Sequence, residues 1–144
     1  MTMSKSRQTV VLAYSGGLDT SVCVRWLAQR GYRVIAFMAN VGQCDPSAAA
    51  ITRAKRAGAA QVLVRDLRQE FVTEYLWPSL KAHAVYEGKY LLATALSRPL
   101  IAKHLVDVAH EVRAGAVAHG CTGKGNDQVR FEVTVRILDP ALKI

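Results

Sequence analysis

The stretch that most restricts what this 144-residue chain can fold into is Ala13-Tyr14-Ser15-Gly16-Gly17-Leu18-Asp19-Thr20-Ser21. It follows a strand-like run, Thr9-Val10-Val11-Leu12-Ala13, and precedes a helix whose apolar residues Leu18, Val22, Cys23, Trp26 and Leu27 recur four and five apart. Two adjacent glycines allow close backbone approach to a ligand. Ser15, Thr20 and Ser21 add hydroxyls beside the unpaired N–H groups of the helix's first turn, which suits a phosphate. An isolated Gly-Gly is more often an ordinary turn. Its place between a buried strand and a helix N-terminus, where α/β sheets take their ligands, reverses that reading.

The elements that follow keep the same rhythm. Gly31 can close the first helix, and Tyr32–Ala39 reads as a second strand, apolar nearly throughout and therefore covered on both faces. After a loop from Asn40 to Pro46, Ser47 can cap an alanine-rich helix through Ala57, closed by Gly58. Gln61–Val64 is a third strand. The alternation β-α-β-α-β predicts a parallel sheet flanked by helices, with right-handed crossovers. A helix is expected over Leu67–Tyr75, ended or bent by Trp77-Pro78, with a second piece over Ser79–Val85. A long helical pattern runs from Thr94 to Val112, and Pro99 asks for a kink or, as we prefer, a start near Ser97. Gly115–Ala118 gives a fourth strand, followed by the second glycine-rich loop, His119 to Asp127. Beyond it, Val129, Phe131, Val133, Val135 and Ile137 alternate as in a strand. Asn126 or Asp127 as N-cap, with Val129, Val133 and Ile137 four apart on one face, argues equally for a helix.

Composition bounds the function. Half the residues are hydrophobic and 21% charged, ordinary for one globular domain with a core. No apolar run reaches the ~18 residues of a membrane span, and the polar segment 1–8 has no signal-like region after it, so a cytoplasmic protein is expected. Cys23, Cys44 and Cys121 lack the spacing of a disulfide framework or a zinc site. The net charge of +8 is concentrated in residues 1–65, where nine Lys/Arg face only Asp19 and Asp45. That gathers polyphosphates or nucleic acid. Without interleaved aromatic residues nucleic acid is disfavoured, and most of these cations, among them Arg30, Arg53, Lys55 and Arg56, read as solvated helix ends.

The first loop is neither G-x-x-x-x-G-K-[ST] nor G-x-G-x-x-G. Ser15-Gly16-Gly17-Leu18-Asp19-Thr20 resembles the pyrophosphate loop of the N-type ATP pyrophosphatases, which cleave ATP to AMP and pyrophosphate. Taken with Glu87-Gly88-Lys89-Tyr90, Arg98-Pro99 and the run His119-Gly120-Cys121-Thr122-Gly123-Lys124-Gly125-Asn126-Asp127-Gln128-Val129-Arg130-Phe131-Glu132, it makes the chain from Val10 onward resemble argininosuccinate synthase. The resemblance implies an adenine-nucleotide α-hydrolase-like domain over 9–144 and a helix, not a strand, after Asp127. It further implies ATP-dependent joining of citrulline to aspartate through a citrullyl adenylate, releasing AMP and pyrophosphate in arginine biosynthesis.

By the same resemblance, Ala13, Tyr14, Ser15, Gly16, Gly17, Leu18, Asp19, Thr20 and Ser21 would hold ATP together with Ala39 and Gly120. Thr122, Asn126 and Asp127 would hold aspartate, and Tyr90, Asn126 and Arg130 citrulline, with the Arg130 fork suited to a carboxylate. Ala95 stands where the family commonly has a citrulline-binding serine, leaving Thr94 or Ser97 to supply a hydroxyl. Magnesium is expected on the ATP phosphates and not in a protein cage. Family members carry a further synthetase domain and form homotetramers, so a truncated chain is expected here. Two other readings are a different pyrophosphate-loop adenylating enzyme, such as a tRNA-thiolating or amidating one, and an ATP-binding module without catalysis. Neither a cysteine pair nor an amidotransferase nucleophile segment supports the first of these.

Overall fold

A computed structural model describes residues 7–43 and 48–144. Their elements in chain order are β1 (Thr9–Ala13), α1 (Leu18–Gln29), β2 (Arg33–Asn40), α2 (Ala48–Ala57), β3 (Gln61–Asp66), α3 (Arg68–Glu70), a π-helical segment (Phe71–Leu76), α4 (Trp77–Lys81), α5 (Ala93–Glu111), β4 (Ala116–His119) and α6 (Asn126–Leu138). The strands form one parallel sheet in the order β3-β2-β1-β4. The α/β class and the parallel sheet are as the sequence predicts. The expected cap Ser47 lies outside the described residues.

Strand periodicity builds the two layers. Along β1 and β2, Val10, Leu12, Val34, Ala36 and Met38 point to one face and join Val24 of α1 and Ala50 and Ala54 of α2. The intervening Val11, Ile35, Phe37 and Ala39 point to the other and join Leu100, Leu105 and Val108 of α5 and Phe131 and Val135 of α6. Every residue of β2 after Arg33 is buried, the pattern of a central parallel strand covered on both sides. The small side chains of Ala50 and Ala54, one helical turn apart, bring α2 close to the sheet and to the first glycine loop.

Several expectations need correction. Pro78 does not break its helix: the chain runs helically from Arg68 to Lys81, widened to π-helix over Phe71–Leu76 directly before the proline. The wider turn relieves the clash of the ring with the preceding turn, and the missing N–H leaves the ladder at a position already out of α register. The helix then stops at Lys81 and not at Val85, because His83 takes a positive φ of 50°. Pro99 lies inside α5, which starts six residues before it at Ala93, so a start near Ser97 is wrong.

Two helices also leave much of the expected apolar stripe outside, although Cys23 and Leu27 of α1 do pack against the core. On α1 the buried residues are Thr20 and Val24, while Leu18, Val22 and Trp26 are exposed, and the Arg30 guanidinium lies 3.5 Å from the Trp26 ring centroid. On α6, a helix as the resemblance implies, Phe131 and Val135 face the core. Val129, Val133 and Ile137 form an exposed stripe. At the chain's end Lys143 makes a parallel bridge to Ala116 on the outer edge of β4.

Candidate functional site: a crevice at the ends of β1 and β4

The sheet order makes β1 a switch point. The helix following β1 packs on one face and the helix following β4 on the other, so the loops leaving the carboxyl ends of these neighbouring strands diverge and leave a crevice. A cleft of about 1030 Å³ opens there, lined by both glycine-rich loops, the end of β2 and residues of α2, α5 and α6. Its size suits a nucleotide-sized ligand.

The first lip is the Ser15–Gly17 turn. Gly16 takes φ +83°, and a Cβ at that position would sit 3.0 Å from the Ala50 Cβ. The turn is tied on all sides. Tyr14, buried, brings its hydroxyl 2.9 Å from Ser21 Oγ, and Ser15 Oγ lies 3.0 Å from Thr20 Oγ1. The Gly17 N–H donates to Ser15 Oγ at 3.3 Å. Arg53 of α2 donates from both Nε and Nη2 to the Gly16 carbonyl, at 3.2 and 3.0 Å. No side chain caps α1 at Gly17, and the positive end of its dipole lies at this lip, where Ser15, Gly16 and Thr20 line the crevice.

The second lip repeats this arrangement on the other layer. Gly125 is the N-cap of α6 and again no side chain caps it, which corrects the assignment of Asn126 or Asp127 as cap. A Cβ on Gly120 would come 2.9 Å from Thr20 Cγ2, so the two lips touch through this glycine. Behind it, the His119 ring stacks on Phe131 at 5.2 Å, and burial holds the imidazole below its ordinary pKa. At the end of β2, Phe37, Met38, Ala39 and the following Val41 form an apolar wall, and Gln43 Nε2 donates to the Ala39 carbonyl at 2.5 Å.

The polar flank of the cleft is an ionic clasp. Asp127 accepts from Arg98 Nε at 2.9 Å through one oxygen and from Arg130 Nη1 at 2.7 Å through the other. Burial pushes its carboxyl up, but the hydrogen bonds from the two arginines outweigh this and hold it below the ordinary range. A depressed folded-state pKa stabilises above the unfolded-state value of about 3.9, and that stability is lost as pH falls through the lower folded value. In urea denaturation, the stability difference between parent and Asp127→Asn is therefore expected to be constant from pH 7 to pH 5 and to shrink below pH 4. A difference independent of pH would show that the clasp contributes no linked stability.

A sequence model described as the arginosuccinate synthase N-terminal HUP domain matches residues 9–144. The chain belongs to the argininosuccinate synthase family. It is 58% identical over 135 residues to the argininosuccinate synthase of Pseudothermotoga lettingae, covering 94% of this chain and 32% of that protein. With the Xenopus tropicalis argininosuccinate synthase it shares 54% over 142 residues, 99% of this chain and 34% of the relative. The chain thus spans about a third of the length of these relatives. Among solved structures, an NAD+ synthetase from Burkholderia pseudomallei superposes with TM-score 0.51 at 19% identity, covering 92% of this chain and 66% of that one. A predicted subunit of tRNA methyltransferase from Methanocaldococcus jannaschii does so with TM-score 0.55 at 17% identity, covering 95% and 66%. At such identities these two show the shared fold alone.

Of the residues that the argininosuccinate synthase resemblance singles out, Ala13, Tyr14, Ser15, Gly16, Thr20, Ala39, Gly120, Thr122, Asn126, Asp127 and Arg130 line the one cleft. Gly17, Leu18, Asp19 and Ser21, in the adjoining turn and α1, do not line it, and Leu18 is 79% exposed. Tyr90 and Thr94 stand outside the lining, joined hydroxyl to hydroxyl at 2.5 Å at the start of α5. Arg53 escapes the sequence reading, which takes it as a solvated helix end; nothing local signals a contact 37 residues away. Arg98 is part of a quoted motif but has no role until its bond to Asp127 is seen. Among the described residues no helix is long and apolar enough to cross a membrane.

Proposed function

We propose that this chain is the ATP-binding part of an argininosuccinate synthase, joining citrulline to aspartate with release of AMP and pyrophosphate. The observation that carries the reading is the convergence of two uncapped helix N-termini, α1 and α6, on one crevice beside the Arg98–Asp127–Arg130 clasp. Anionic phosphates fit the first lip, where a Cβ on Gly16 would fill the cradle, and an adenine fits the apolar wall at Ala39. Magnesium would arrive on the phosphates. In the reaction proposed, the citrulline ureido oxygen attacks the α-phosphate and pyrophosphate leaves. The aspartate amine then attacks the ureido carbon of the citrullyl adenylate and AMP departs.

In this scheme Ala13 to Ser21, Ala39 and Gly120 hold ATP. Thr122, Asn126 and Asp127 hold aspartate, and Tyr90, Thr94, Asn126 and Arg130 hold citrulline. Carboxylates find hydroxyl, amide and guanidinium donors in that set, and Asp127 offers an acceptor to an ammonium. A cytoplasmic homotetramer serving arginine biosynthesis is the setting the family relation suggests.

The test is pyrophosphate release by a full-length version, which should require citrulline and aspartate together; release with neither would turn the reading toward another adenylating enzyme. In the same assay Arg130→Ala is expected to raise the citrulline concentration needed by roughly ten- to a hundredfold. That corresponds to the ~1.5–3 kcal/mol of a charge-assisted hydrogen bond. Unchanged citrulline dependence would make Arg130 a partner of Asp127 only.

A further inference from the structure

Arg53 of α2 lines the cleft but has no part in the scheme above. Both of its donors reach one acceptor, the Gly16 carbonyl, while the N–H of the same peptide unit is held by Ser15 Oγ. The Gly16–Gly17 peptide is therefore anchored at both ends. Since a peptide is planar, fixing its carbonyl fixes the direction in which the turn enters α1. Gly16 can adopt its φ of +83° without strain but also has the widest choice of other conformations, so the turn gains definition from an outside clamp. The guanidinium that provides it also lines the cleft, close to where the unpaired N–H groups of α1 emerge. Ala50, one turn earlier on α2, is what allows that approach: its Cβ packs against the turn where any larger side chain would push α2 away.

We infer that Arg53 is a positioning residue for the polyphosphate end of the nucleotide. It holds the glycine turn in its ligand-ready conformation and keeps a permanent positive charge beside the β- and γ-phosphates. The inference rests on the ATP site proposed above. A lysine would preserve the charge but not the planar fork that gives two bonds to one oxygen, so the two contributions can be separated.

The experiment is calorimetric titration of the 144-residue chain and its Arg53→Gln and Arg53→Lys variants with ATP and with AMP, alongside thermal unfolding. The expected result is a loss of ATP affinity of roughly tenfold or more in Arg53→Gln and a smaller loss in Arg53→Lys, with AMP affinity unchanged within about twofold. Equal losses for ATP and AMP would reduce Arg53 to general support of the cleft, and unchanged ATP affinity would remove it from the site; either overturns the inference while the parent's ATP binding keeps the site itself. A parent that binds no ATP would overturn the site and the inference together. Should Arg53→Gln not fold, Arg53→Lys decides alone, an ATP affinity equal to the parent's counting against the clamp.

Discussion

Gly16→Val is expected to lose ATP binding altogether and to be destabilised, whereas Gly17→Ala is expected to fold as stably as the parent. The two glycines are neighbours in sequence but differ in what they do. At Gly16 the backbone sits at φ +83°, which costs a non-glycine residue about 1–3 kcal/mol and a β-branched one more. The new Cβ would also stand 3.0 Å from the Ala50 Cβ. Ala50 is buried on the sheet-facing side of α2, so relief requires moving the helix or flipping the turn. Either movement breaks the two bonds from Arg53 to the Gly16 carbonyl. Gly17 has φ −80°, open to any residue, and its Cβ would meet only Ser15 Oγ at 3.4 Å, an ordinary contact. Urea denaturation and ATP titration of both variants check this. A Gly16→Val protein that unfolds at the parent's midpoint and still binds ATP would show the turn to be replaceable.

The 144-residue chain alone is expected to bind ATP and to release pyrophosphate at least roughly a thousandfold more slowly than an intact relative. Correct placement of two reactants can account for about 7–11 kcal/mol of a barrier, so partial placement is severely limiting. The chain spans about a third of the relatives' length, so much of what would complete that placement is expected from the remainder. Purified chain with ATP, magnesium, citrulline and aspartate gives the measurement; turnover matching an intact synthetase would show that the remaining two-thirds of such proteins are dispensable for chemistry.

The strands were readable because β1 and β2 are apolar on both faces and are bounded by glycine and polar residues. The loops were readable because glycines and hydroxyls cluster where strand meets helix. Side-chain direction on the helices was less accessible. Periodicity finds an apolar stripe and assigns it to the core. On α1 the pattern it finds is split: Leu18, Val22 and Trp26 face outward, while Cys23 and Leu27 pack against the core beside Thr20 and Val24. On α6 both Val129-Val133-Ile137 and Phe131-Val135 satisfy a spacing of four, and only the position of the sheet selects the second. The prolines misled for a related reason. Pro78 and Pro99 are helix breakers locally, yet one follows a widened π turn and the other is carried inside a helix with seven buried residues. Tertiary packing overrides propensity there. Arg53 was illegible because its partner is a backbone oxygen, which has no sequence signature.

The two uncapped helix N-termini have an effect that reaches beyond affinity. α1 belongs to the layer packed on one side of the sheet and α6 to the layer on the other, each with its own core cluster. A phosphate-bearing ligand seated between both termini would join these layers at the rim where Thr20 and Gly120 already meet. Occupancy would then stabilise by RT ln(1 + [L]/Kd) overall. It would also make the two layers open together instead of separately. Amides of α1 and α6 that exchange with solvent at different rates in the free chain should approach a common, slower rate when the crevice is filled.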